Sequence, residues 1–211
     1  MTFHYAVAVD HPTAVAWLSA GERRWSAGLP GPARRSDWRA GRVAAKRAVA
    51  AELGLDDPLR VTLVPVPGAA PLVEVRDVGG SHRVVPLAFS LSQCAGRAAA
   101  AASVARGGLG IDLELSDQVR AAHAGYYLSP SERERAGACG LTTLWTLKEA
   151  TWKALRCDDT VPFTALQLEF DAAGAVAAVS LSGRTQPAVA HVLEPWRGYV
   201  LAIVWIPGEE R

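Results

Sequence analysis

One order of elements occurs twice in this chain, and it restricts the fold more than any other feature. A long helical stretch without internal proline is followed by several short apolar runs, punctuated by glycine or proline and with no helix between them. In the first half, residues 37–53 carry the helical pattern, and strand-like runs follow at 60–66, 71–75, 84–90 and 96–105. In the second half, a helix over 142–155 precedes runs at 165–170, 175–180, 188–193 and 199–205. Residues 3–9 open the chain as a strand, and 109–114 form another after the Gly107-Gly108 turn. Strands that follow one another directly pair antiparallel, since parallel neighbours need a long crossover. Each sheet then buries its apolar face under its helix. The expected class is α+β: a pseudo-twofold arrangement of two similar lobes, 1–108 and 109–211, each a helix packed on a mainly antiparallel sheet. The five alanines at 98–102 favour helix by propensity, so the strand there depends on its neighbours.

Half of the 211 residues are apolar, enough for a substantial core. Cys94, Cys139 and Cys157 are odd in number and form no CxxC pair, which favours neither a disulfide framework nor a zinc cluster. With no basic–apolar leader and no long uncharged apolar run, the sequence predicts a cytoplasmic protein with no membrane partner. Two lobes already supply an interface to each other, so a monomer is expected. Charge is uneven: residues 1–110 hold 13 Lys/Arg against 8 Asp/Glu, and 111–211 hold 9 against 13. Arg23, Arg24, Arg34, Arg35, Arg39, Arg42, Lys46 and Arg47 lie close together with Asp37 as the one acid among them. Such clustering implies an anionic partner. No nucleic-acid-binding motif accompanies it, so a phosphorylated small molecule fits better than nucleic acid. Asp37 is placed near the helix N-terminus, and Arg35, Arg39, Arg42 and Lys46 stack as a basic stripe at spacings of four, three and four.

Asp112 and Glu114 alternate on a strand, which sets both carboxylates on one face, opposite Ile111 and Leu113. Carboxylate oxygens suit a hard divalent ion such as magnesium, and an exposed acidic strand face explains the pair equally well. On the helix that follows, Glu149 and Lys153 are four apart in the favourable order for a surface ion pair. Trp145 and Trp152 on that helix read as packing, and Ser90 and Ser92 as ordinary sheet serines. There is no G-x-S-x-G elbow, P-loop, dinucleotide fingerprint or H-E-x-x-H helix, and the five histidines lack ligand spacing.

Gly110-Ile111-Asp112-Leu113-Glu114, followed by Trp145-Thr146-Leu147-Lys148-Glu149-Ala150 and Lys153, resembles the paired signature of the Sfp-type 4'-phosphopantetheinyl transferases. Upstream, Gly41 to Lys46 is similar to that family's N-terminal helix segment. Gly68 to Pro71 is similar to a diverged form of its Gly-Lys-Pro or Gly-Ala-Pro loop, and Phe89 to Gln93 to its strand ending in Ser-His. The resemblance spans roughly residues 30–160. It implies transfer of 4'-phosphopantetheine from coenzyme A to a serine of an acyl or peptidyl carrier protein, releasing adenosine 3',5'-bisphosphate. By the same match Asp112, Glu114 and Glu149 would hold Mg2+. Glu149 or Lys153 would help deprotonate the serine, with Asp112 completing the catalytic set. Arg34, Arg35, Arg42, Lys46, Pro71, Ser92, Gln93 and Lys148 would contact coenzyme A. Two positions depart from the pattern: Gln93 stands where the family has histidine, and Ala70 precedes Pro71 where it often has lysine. A family member that binds coenzyme A or carrier protein without transfer is the alternative reading. Tyr126, Tyr127 and Leu128, in a stretch at 115–140 expected as surface loop, form either a carrier-facing patch or ordinary core.

Overall fold

Backbone contacts divide the chain into two units, Met1–Arg106 and Gly107–Arg211. The computed structural model describes residues 2–66, 69–158 and 160–208, without the side chains of 69, 70, 138 and 139. Gly68 and the side chains of Ala70 and Cys139 therefore lie outside the described residues. Among the described residues, neither Cys94 nor Cys157 is in a disulfide. Among the described residues no helix is long and apolar enough to cross a membrane.

In the first unit, β1 (His4–Val9) leads through a single 3-10 turn at Pro12–Trp17 to α1 (Ala20–Gly28) and α2 (Pro32–Glu52). Five strands follow: β2 (Val61–Val66), β3 (Ala69–Arg76), β4 (His82–Val84), β5 (Ala88–Cys94) and β6 (Arg97–Ser103). They form two antiparallel three-stranded sheets, ordered β1-β6-β5 and β2-β3-β4. Pro32 begins α2 where a missing N–H costs nothing, so the helix starts before the expected residue 37. Asp37 consequently lies inside the helix, and its carboxylate accepts the Gly96 N–H at the β5–β6 turn, 2.5 Å away. The single strand expected at 84–90 is two strands, β4 and β5. Pro86 stands between them and has no N–H to give a ladder.

The second unit repeats the plan element by element. β7 (Gly107–Leu115), a 3-10 turn at Ala121–Tyr126, α3 (Pro130–Cys139) and α4 (Leu141–Leu155) precede β8 (Leu166–Phe170), β9 (Val176–Leu181), β10 (Arg184–Pro187), β11 (Val189–Leu193) and β12 (Tyr199–Pro207). The sheets are β7-β12-β11 and β8-β9-β10, the same topology as in the first unit. The 115–140 stretch expected as loop contains α3, with Tyr127 and Leu128 buried and Tyr126 80% exposed. Tyr127 and Leu128 are thus core.

A shared device ties the short helix of each unit to the long one. Ser19 and Glu22 form a capping box on α1, and the same Glu22 carboxylate accepts Lys46 Nζ of α2 at 2.7 Å. Ser129 and Glu132 repeat this on α3, with Lys148 Nζ of α4 at 2.8 Å. Both lysines are 0% exposed. The copies differ in one bond. Glu132 also accepts the Leu168 N–H, while Glu22 Oε1 is buried with no hydrogen-bond partner among the described residues.

The helices press on their sheets by different means. In the first unit α2 lies over Ala98, Ala100 and Ala102, whose small side chains let it approach. Pairing on both sides, to β1 and β5, holds the alanine run as strand against its propensity. In the second unit the close approach is made instead through glycines of β7, the strand equivalent to β1. A Cβ on Gly108 would stand 2.1 Å from the Ala154 carbonyl oxygen, and one on Gly110 would stand 1.7 Å from that of Ala150. The α4 backbone therefore rests on the β7 backbone. Gly110→Ala is expected to cost roughly 3 kcal/mol or more, since backbone must move to admit one methyl. By contrast, Gly137→Ala, on α3 with nothing within 4 Å, should stabilise by about 0.5–1 kcal/mol. Urea denaturation of the two variants checks both signs.

Candidate functional site

Gly108, Gly110, Asp112 and Glu114 alternate on the β7 face that meets α4. Beyond the two glycines, this face ends in the two acids. Asp112 is 3% exposed, and Glu114 accepts the Trp145 indole N–H at 3.5 Å. Glu149, part-buried on α4, is held up to about pH 7. Burial is the largest cause, followed by the charge of Asp112; Glu114 adds to it and Lys153 opposes it. The charges of Asp112 and Glu114 thus both act on Glu149.

The expected Glu149–Lys153 surface pair is replaced by a bond across to the strand. Lys153 Nζ lies 2.7 Å from Asp112 Oδ1 and 3.2 Å from the Ile111 carbonyl oxygen. A buried carboxylate needs a counter-charge more than a part-exposed one does, which explains the choice. Among the described residues no group of three His, Cys, Asp or Glu side chains is gathered so that it could hold a metal ion. The donor set itself fits a hard divalent cation. It consists of three carboxylates, the oxygen donors such an ion takes, and the charges of Asp112 and Glu114 add to burial in raising the proton affinity of Glu149. Beside the acids, Trp145 packs edge-on to Tyr127 at 4.6 Å and against Phe163 at 5.1 Å, and Trp152 stacks on Phe163 at 4.3 Å. The tryptophans are packing, as read from the sequence.

The first unit holds a cleft of about 210 Å³ lined by Trp38, Arg42, Pro65, Val66, Pro71, Leu91 and Gln93. Three residues expected to touch coenzyme A, Arg42, Pro71 and Gln93, meet there. The Arg42 guanidinium lies 4.8 Å over the Trp38 ring, and burial lowers its proton affinity against the opposing Glu22 charge. Gln93 lies on bare backbone: a Cβ at Gly41 would fall 1.9 Å from its amide nitrogen. Ser92, expected at coenzyme A, is 8% exposed and, as the neighbour of Gln93 on β5, points to the opposite face of the strand.

The basic stripe is largely occupied within the protein. Arg39 binds both oxygens of Asp10, at 2.8 and 2.6 Å, and holds that carboxyl below its usual range. Arg35 donates to the Leu29 carbonyl oxygen at 3.0 Å, while Arg34 is exposed. Lys46 and Lys148 need correction. Both were expected at coenzyme A, yet each ammonium is fully buried against its capping-box glutamate. The serine-x-x-glutamate spacing ahead of each long helix was the sequence signal for this role.

Superposing the two units by strand register and by these lysines shows what the acids replace. Val9 pairs with Arg97 after Gly96, as Leu115 pairs with Tyr199 after Gly198. Ala6 and Ala8 of β1 then occupy the places of Asp112 and Glu114, and Arg47 that of Glu149. The carboxylate set belongs to the second unit alone.

Residues 108–204 match the family model of the 4'-phosphopantetheinyl transferase superfamily. No curated protein matches the chain. Among solved structures, a Thermotoga maritima holo-[acyl-carrier-protein] synthase is similar at 18% identity and a TM-score of 0.36. The match covers 49% of this chain and spans 64% of the length of that one.

Two outcomes follow from this geometry. Lys148→Met should cost roughly 3–5 kcal/mol in denaturation, because it strands Glu132, and adding Glu132→Gln should recover most of the loss. Glu149 binds its proton more tightly in the folded protein than in the unfolded chain. Its contribution to stability is therefore present at low pH and is lost as pH rises from about 4.5 through about 7. Without metal, Glu149→Gln should match the parent near pH 4 and exceed it above pH 7 by on the order of 1 kcal/mol, allowing for solvent screening. Thermal melts in chelator across that range measure it.

Proposed function

We propose that this chain, whose residues 108–204 carry the pattern of the 4'-phosphopantetheinyl transferase superfamily, transfers 4'-phosphopantetheine from coenzyme A to a serine hydroxyl of an acyl or peptidyl carrier protein. It does so in the manner of the Sfp-type members it resembles. The observation that carries this reading is the cluster of Asp112, Glu114 and Glu149, set on the face where α4 rests on β7, within the matched residues.

In the step, the serine oxygen forms a bond to the pantetheine-bearing phosphorus as the bond to the bisphosphate oxygen breaks. Adenosine 3',5'-bisphosphate leaves, and the hydroxyl proton passes to Glu149, or to Lys153 only where that group is the neutral amine, since its ammonium has no lone pair to accept it. Asp112, Glu114 and Glu149 would hold Mg2+, which supplies neutralising charge at the pyrophosphate oxygens when bound. Asp112 is fixed by its strand, with little freedom once buried, and Glu149 by the helix lying on the glycines. In the first unit, the cleft at Trp38, Arg42, Pro71 and Gln93 is the part suited to the nucleotide end of coenzyme A. It combines a guanidinium backed by an aromatic ring with a neutral amide. Arg34 and Arg35 remain candidates for its phosphates. Lys46 and Lys148 serve the framework instead.

Incubation with apo-carrier protein, coenzyme A and Mg2+, read by intact mass, tests the reading. One phosphopantetheine should add per carrier, and Asp112→Asn or Glu149→Gln should slow the addition about 100-fold or more. Coenzyme A binding with no addition to fatty-acid, polyketide or peptide carriers would overturn transfer and mark a non-catalytic family member.

A further inference from the structure

Lys153 is the one ammonium among the described residues that sits among the three acids, and it is held differently from the other buried lysines. Lys46 and Lys148 are sealed, with side-chain exposures of 1% and 0%. Lys153 is 30% exposed, while the carboxylate it binds is 5% exposed. One end of the pair is therefore fixed on β7, and the other is a flexible four-carbon stem that solvent reaches. Nζ contacts two oxygens from adjacent strand residues, Asp112 Oδ1 and the Ile111 carbonyl, and its charge also acts on Glu149. This is the arrangement of a monovalent cation seated in an oxygen site, held there by a tether.

We propose that Lys153 is a built-in occupant of the cation seat: its ammonium neutralises Asp112 until a divalent ion arrives, and must leave Asp112 Oδ1 for that ion to bind. The inference rests on the reading of Asp112, Glu114 and Glu149 as the cation-holding set. Charge requires the exchange, because a divalent ion and an ammonium cannot share one carboxylate oxygen without strong repulsion at such separation. Its 30% exposure gives the Lys153 side chain an open side toward solvent, which the paired Asp112 carboxylate lacks. Two consequences follow. Lys153 weakens divalent binding by competing for the seat, and it stabilises the metal-free protein by pairing a buried carboxylate. On release it becomes a mobile cation beside the acids.

Mn2+ binding to the full chain, followed by electron paramagnetic resonance with no nucleotide or carrier present, reads the competition directly. Lys153→Met should tighten Mn2+ binding about 10-fold and lower the melting temperature of the metal-free protein, with Mn2+ restoring more stability to the variant than to the parent. In the parent protein, acetylation of Lys153 by an amine-reactive ester, read by peptide mass, should run about fivefold faster with Mn2+ than in chelator, because the ion frees the ammonium. Mn2+ binding that weakens in Lys153→Met, or Lys153 labelling that is unchanged or slower with the ion, overturns the displacement alone. Absence of Mn2+ binding to both forms overturns it together with the cation-holding set, a different result from the loss of transfer described above.

Discussion

At Gly108 and Gly110, where α4 meets β7, there is no side-chain layer. The carbonyl oxygens of Ala150 and Ala154 occupy the space where Cβ atoms would stand on Gly110 and Gly108, so two backbones touch. Everything chemical in the second unit is positioned from that contact. Asp112 and Glu114 continue the glycine face of the strand, and Glu149 and Lys153 lie on the turns of helix beside Ala150 and Ala154. A sheet packed through ordinary side chains would hold its helix farther away, with more ways to shift. The glycine in the Gly-Ile-Asp-Leu-Glu segment is thus part of the site's geometry even though it touches no ligand.

The paired lysines show a second constraint. A buried ion pair adds little net stability against an apolar replacement, yet losing one partner is severe. Each pair here also satisfies the first turn of a short helix, since one glutamate caps its own helix and binds the ammonium of the next. That couples the orientation of α1 to α2 and of α3 to α4. The long helices carry the residues that face the cleft and the acids, so their placement depends on these buried ion pairs.

The sequence revealed the repeated order of helix and strands, because glycine and proline punctuation survives in both halves. It also revealed the acids, because strand period two and helix period 3.6 project side chains reliably. It misled where one residue type serves two ends. A lysine in a basic stripe or beside Glu149 reads as a phosphate ligand, and only the partner from another helix shows that its charge is already paired. Glu22 and Glu132 lie 24 and 16 residues from their lysines, a separation no periodicity connects. Lys153 misled in the opposite direction. Its helical spacing to Glu149 suggested a routine surface pair, while burial of Asp112 on the strand claimed it. Ser92 and Gln93, both read from the resemblance, face opposite ways because they are neighbours on a strand.

The first unit reproduces the frame with Ala6, Ala8 and Arg47 at the places of the three acids. The molecule therefore contains its own blank. Grafting acids at those three positions would ask whether frame alone suffices to make a cation site.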